Sequence, residues 1–224
     1  MSPRGRPEGE YHRDHSTQPA GTAASRGAGA AVTHLLYLHG FRSGPQSTKA
    51  RIVAAWVGAH RPELHWACPQ LPPSPREAIA LARQTMLGWP AASSAVIGSS
   101  LGGYYARRLA EDSGCRAVLL NPAVFPARDL APFVGELPMY HSPARSFEFR
   151  AEYLDELRAM QTPALSHPQR LFALIAKGDE VLDWREMAAA CAGATLCVLE
   201  GSDHGIGDFE DHLPRILHFL NLNP

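Results

Sequence analysis

The feature that most limits what this chain can fold into is the run Gly98-Ser99-Ser100-Leu101-Gly102. It joins an unbroken apolar stretch, SAVIGSS (94–100), to LGGYYARRLAEDSG (101–114), whose apolar positions recur at helical spacing. A serine held on a tight strand-to-helix turn takes a strained backbone, and side chains two residues before and after it would collide. Glycines stand at both of those places around Ser100, whereas Ser99 has Ile97 and Leu101 there. Ser100 is therefore the nucleophile that the pattern selects, and the start of the following helix adds partial positive charge beside it. Other glycine-loop chemistries fail here. A phosphate-cradling loop needs Gly-Lys-Ser/Thr, but Tyr104 follows Gly103, and no G-x-G-x-x-G dinucleotide fingerprint is present.

Around this turn the punctuation alternates between strand and helix. Short runs at 34–40, 94–100, 115–122, 170–180 and 195–201 read as strands, and 64–75 as a strand running into a proline-rich loop. Helical spacing marks 47–59, 75–89, 101–114, 183–191 and 208–220, with Pro75 suited to a first turn and Gly114 to a C-terminal stop. The expected fold is α/β, a mostly parallel sheet of about six strands flanked by helices on both faces. Residues 122–168 break the rhythm. They are rich in proline, carry the aromatics Phe125, Phe133, Tyr140, Phe147 and Phe149, and give one helix at 150–160. This segment is expected to be a lid-like insertion, with Phe125, Phe133 and Tyr140 as substrate-contacting candidates. Residues 1–32, built from Gly, Pro, Ala, Ser, Thr and scattered charge, are expected to be a disordered extension, and 33–224 a single domain.

In folds of this kind the catalytic order is serine, acid, histidine. The base then belongs after the last strand, where His204 lies in a loop flanked by Gly201, Gly205 and Gly207. Asp179 follows the strand at 171–176 and can orient the base. Asp183 competes, but Asp-Trp-Arg-Glu at 183–186 is a helix cap, which already explains it. The oxyanion formed on attack needs preorganised N–H donors. The backbone N–H groups of Leu101 and Phe41 are the candidates, with His39 read as a structural hydrogen-bonding residue.

Composition narrows the classes without naming one. A formal net charge of −1 gives no footprint for nucleic acid. No apolar run approaches the roughly 18 residues of a membrane span. The four cysteines form no CxxC pair and read as reduced thiols, and no spacing suggests a metal or cofactor.

The blocks LLYLHGFRSGPQSTKA, CPQLPPSP, VIGSSLGGYYA, NPAV, KGDEVLDWRE and the final GSDHG with FED resemble the YqiA/YcfP-type bacterial esterases, from about Leu35 onward. That resemblance implies a small cytoplasmic α/β-hydrolase, a cofactor-free serine esterase acting on oxygen ester or thioester acyl bonds. On matched positions it supports Ser100, Asp179 and His204. Two departures stand out: Asp203 where Asn is expected, and Gly205-Ile206 in place of a small residue and an aromatic. The expected partners are a small acyl ester and water. An acyl-CoA thioesterase or acyltransferase would share these residues, whereas a binding protein on the same scaffold would be expected to lose one of the three.

Overall fold

A computed structural model describes residues 31–140, 142–162 and 164–222. Six parallel strands form the central sheet: β1 (His34–Leu38), β2 (His65–Ala67), β3 (Ser94–Ser99), β4 (Arg116–Leu120), and, beyond the insertion, Leu171–Ala176 and Thr195–Leu199. Helices α1 (Thr48–His60), α2 (Pro75–Thr85) and α3 (Leu101–Ser113) connect the first four strands. Within the insertion lie α4 (Pro126–Asp129), the antiparallel pair β5 (Gly135–Met139) and β6 (Ser142–Phe149), and α5 (Glu152–Ala159). The strand Leu171–Ala176 is then β7 and Thr195–Leu199 is β8, followed by α6 (Trp184–Ala190) after β7 and α7 (Phe209–Phe219) after β8. The sheet order is β2-β1-β3-β4-β7-β8.

The strands are continuously apolar because both faces of the sheet are covered. Alternate residues point opposite ways. Leu36, Leu38, Val96, Leu119 and Ile175 pack with Ile79, Tyr104, Leu109 and Met187 on one side. Leu35, Tyr37, Ile97, Val118 and Leu174 pack with Val53, Val57, Phe209 and Ile216 on the other. The helices of the two sides are α2, α3 and α6 against α1 and α7.

Three differences from the sequence expectation have local causes. Helix α2 stops at Thr85 rather than running on to 89, because Gly88 at φ 80° belongs to a turn. The insertion holds a hairpin as well as its helix: Phe147 and Phe149 alternate with Ser146 and Glu148, a strand pattern that the prolines obscured. Most of the expected disordered leader lies outside the described residues, but Val32 is fully buried, so the folded part includes it.

Helix α5 is bound to the start of α2 by Glu156. Its carboxylate accepts from Ser74 Oγ at 2.7 Å and from the Arg76 backbone N–H at 3.0 Å, and it also pairs with the Arg76 guanidinium. Burial works to raise the Glu156 pKa, but the Arg76 and Ser74 donors outweigh it and hold the carboxyl below its ordinary value. A depressed carboxyl stabilises the fold above its unfolded pKa and loses that contribution as pH falls through the folded one. Glu156→Gln is therefore expected to cost about 1–3 kcal/mol at pH 7, and less at pH 3. Urea unfolding of both proteins at the two pH values checks this.

Candidate active site

Ser100 sits between β3 and α3 with φ 55° and ψ −118°, outside the regions open to ordinary L-residues. The neighbouring glycines explain how the chain tolerates this. A Cβ on Gly98 would come within 2.2 Å of the Gly102 carbonyl oxygen, and one on Gly102 within 2.0 Å of the Leu38 carbonyl oxygen. A third glycine belongs to the same arrangement, since a Cβ on Gly103 would lie 2.8 Å from Pro122 Cβ. The turn is fastened on both sides. The Ser100 N–H donates to Leu120 O at 2.9 Å, and the Ser100 carbonyl accepts from the Ala123 N–H at 3.0 Å.

His204, in the loop between β8 and α7, reaches this serine. Its Nε2 lies 3.0 Å from Ser100 Oγ, and its Nδ1 lies 2.7 Å from Asp179 Oδ2. The other carboxylate oxygen of Asp179 accepts the backbone N–H groups of Val181 and Leu182, each at 2.8 Å. The side chain is fully buried. An ionised Asp179 can only accept, so Nδ1 carries the imidazole proton and Nε2 is left to accept from the Ser100 hydroxyl.

The competing residues are occupied elsewhere. Asp183 caps α6 by accepting from the Arg185 N–H. Its expected capping-box partner Glu186 does not close the box, because the Arg128 guanidinium takes both of its oxygens at 2.8 and 2.7 Å. His39 Nδ1–H donates to Gly40 O while Nε2 accepts from the Leu71 N–H, so this histidine fixes one loop against another. All four cysteines are free, and burial pushes Cys68 up to about 12 and Cys191 up to about 11, away from thiolate chemistry.

A cavity of about 700 Å³ opens over the serine, lined by Ser100, His204, Phe41, Leu101, Leu130 and Phe133 among others. The loop after β1 passes close beneath it, since a Cβ on Gly40 would lie 3.3 Å from Ser100 Cβ. Tyr140 also lines the cavity, 60% exposed, and so does half-exposed Phe133. Phe125 does not. It lies under the Arg128 guanidinium and faces a separate pocket with Tyr104 and Arg107, because the proline at 126 starts α4 and turns the chain away.

Residues outside the sequence reading hold the His204 loop. Asn121, 1% exposed and at φ 41°, accepts from the Ala176 N–H at 2.8 Å. Its amide donates to the carbonyls of Asp203 at 3.0 Å and His204 at 3.2 Å. Glu180 Oε2 accepts the His204 N–H at 3.0 Å, and Lys49 Nζ donates to Gly205 O. The Lys49 ammonium is held below its ordinary pKa, chiefly by burial, with Asp203 and Asp179 pulling it back up. The one available signal was the Asn-Pro pair at 121–122 just beyond a strand, which marks a special backbone turn without saying what the side chain bonds.

Uncharacterised protein family UPF0227 matches this chain over residues 34–221, most of its length. The chain belongs to UPF0227. This is the family to which the YqiA/YcfP-type resemblance pointed. Solved structures with the same fold include the Pyrococcus furiosus esterase Pf2001, at 17% identity and TM-score 0.57, covering 86% of this chain and 83% of that one. Alpha/beta hydrolase domain-containing protein 10 from mouse is similar at 13% identity and TM-score 0.60, covering 85% and 92%. The metagenome-derived lipolytic enzymes LipS and LipT give a match at 19% identity and TM-score 0.60, covering 86% and 95%. The UPF0227 chain thus has the α/β-hydrolase fold. Among the described residues no helix is long and apolar enough to cross a membrane, and no group of three or more His, Cys, Asp or Glu could hold a metal ion.

Removing the Asn121 side chain would leave a buried N–H at the end of β7 and two carbonyls of the His204 loop without their partner. Asn121→Ala is expected to lower the unfolding free energy by about 3 kcal/mol, measured by guanidinium denaturation with an unchanged m-value.

Proposed function

We propose that this protein is a serine hydrolase that cleaves carboxylic ester bonds of small acyl substrates through an acyl-enzyme. The observation that carries this reading is the unbroken chain from Asp179 Oδ2 to His204 at 2.7 Å and from His204 to Ser100 Oγ at 3.0 Å, opening onto the cavity. Ser100 Oγ attacks the acyl carbonyl while His204 Nε2 takes its proton. Asp179 keeps the imidazole in the accepting tautomer and stabilises the imidazolium that forms. The tetrahedral oxyanion is held by the backbone N–H groups of Leu101, the first residue of α3, and Phe41, in the loop that passes under Ser100. His204 then returns its proton to the leaving oxygen. Water, deprotonated by the same nitrogen, releases the acid and restores Ser100.

The esterase and lipolytic relatives of the same fold support an ester substrate, and the apolar lining from Leu130, Phe133 and Leu182 suits an uncharged group beside the scissile bond. Thioesters pass through the same tetrahedral chemistry and fall within this reading. Fluorophosphonate is expected to label wild type and not Ser100→Ala. In 4-nitrophenyl butyrate hydrolysis, Ser100→Ala is expected to lose roughly 10⁴-fold or more in kcat, and Asp179→Asn a comparable factor through the wrong tautomer. Wild type that neither labels nor turns over, or a Ser100→Ala protein as active as wild type, would sink the mechanism.

A further inference from the structure

A second cavity, of about 410 Å³, lies across the β1–α1 loop from the first. Gly40, Phe41, Ser43 and Leu101 line both, so the wall between them is built from the loop and helix start to which the oxyanion donors are assigned above. The second cavity is apolar over Leu71, Leu81 and Phe147. Two features interrupt this. Tyr105 on α3 lines it while only 3% exposed; its ring meets Tyr104, and its hydroxyl has no hydrogen-bond partner among the described residues. Burial raises the Tyr105 pKa far above its ordinary value, so the group remains a donor. Arg42 and Arg145 also line the cavity, and no carboxylate does. Arg42 is braced by its Nε bond to Pro138 O at 2.9 Å and by the Tyr140 ring 4.3 Å away. Arg145, on the exposed side of β6, makes no ion pair or hydrogen bond among the described residues. Elsewhere on this chain guanidiniums meet carboxylates, as Arg128 meets Glu186 and Arg83 meets Asp112.

Which half of an ester enters this cavity follows from the proton. The leaving oxygen must receive it from His204 Nε2, and His204 lines the first cavity and not the second. The alcohol half therefore occupies the first cavity, and the acyl chain passes over the Gly40–Phe41 wall into the second. We propose that the second cavity binds an acyl chain carrying an anionic end, the monoester of a dicarboxylic acid, with its methylenes on Leu71, Leu81 and Phe147 and its carboxylate facing Arg42 and Arg145. Tyr105 supplies a donor in the cavity interior. This inference rests on the serine-hydrolase reading for the direction of the substrate, but its binding step does not need turnover.

The test compares mono-4-nitrophenyl adipate with 4-nitrophenyl hexanoate, which match in chain length and leaving group and differ in the terminal charge. Wild type is expected to favour the adipate monoester roughly tenfold in kcat/KM, with the preference falling in 0.5 M NaCl. Arg145→Ala is exposed and should fold normally. It is expected to raise KM for the adipate ester roughly tenfold and leave hexanoate hydrolysis unchanged, while Arg145→Lys retains part of the preference. In parallel, calorimetry with monomethyl adipate is expected to show binding to Ser100→Ala protein and roughly tenfold weaker binding to Ser100→Ala/Arg145→Ala. Equal kcat/KM for the two esters, or an Arg145→Ala effect of equal size on both, overturns the anionic subsite. Loss of all turnover with charge-dependent binding retained overturns only the esterase reading.

Discussion

The serine half of the candidate site depends on one close passage of backbone, the start of α3 beneath the end of β1. At Gly102 there is no room for a methyl group, since a Cβ would sit 2.0 Å from Leu38 O and 2.7 Å from His39 O. Because the helix begins in that gap, the residue before it must turn sharply, and Ser100 takes φ 55°. The strain is held by backbone hydrogen bonds to Leu120 and Ala123 on the neighbouring strand end. The same approach brings the β1–α1 loop under the serine, where it divides the space above into two cavities. A larger residue at 102 would push the helix away from the sheet and remove the serine, the loop and the partition together.

The second half of the site is organised from the other side of the sheet. In a parallel sheet the loops at the carboxyl ends of the strands gather along one edge, and ligands bind there. Here the ends of β3, β4, β7 and β8 supply Ser100, Asn121, Asp179 and His204. Asn121 does for the histidine loop what the glycines do for the serine. It occupies a left-handed backbone position at the end of β4 and hydrogen-bonds to both the end of β7 and the carbonyls flanking His204. A loop of glycines such as 201–207 has many conformations to lose, and these bonds oppose that entropy with fixed, buried partners.

What could be read from the sequence were the features with one physical solution. Gly98 and Gly102 around Ser100 and the alternation of continuous apolar strands with helices admit little else, and the fold follows from them. Where several side-chain outcomes compete, the pattern was silent. Asn121 looked like one more turn residue, because its role lies in contacts to positions 176, 203 and 204 that no local rule connects. Phe125, Phe133 and Tyr140 were equivalent by composition, and only the direction of the chain at Pro126 separates Phe125 from the other two. Glu186 fits a capping box by spacing, yet a guanidinium from a segment 58 residues away outcompetes the cap. The hairpin was hidden because Pro138 stands in one strand and Glu136 and Glu148 face solvent across from each other.

The insertion is better understood as a wall than as a flap. Phe41 is enclosed edge-on by Phe133, Phe147 and Phe149, with ring centroids 5.9, 5.8 and 5.0 Å away. Phe149 and Leu157 are each 1% exposed, and burial of such side chains stabilises by about 1.5–3 kcal/mol apiece. The Tyr104 hydroxyl also donates to Leu157 O at 2.6 Å, so α5 is bound directly to the helix that carries the nucleophile turn. Moving the insertion as a body would expose that aromatic cluster and break the Glu156 contacts with α2. Its rim at Phe133 and Tyr140 is more exposed but is tied as well, Phe133 to the Phe41 ring and Tyr140 through its N–H to Arg42 O at 2.8 Å and its ring to the Arg42 guanidinium. The residue that separates the two cavities is thus fixed by the same aromatics that anchor the insertion. The partition between the two cavities is built into the packing rather than produced by closure.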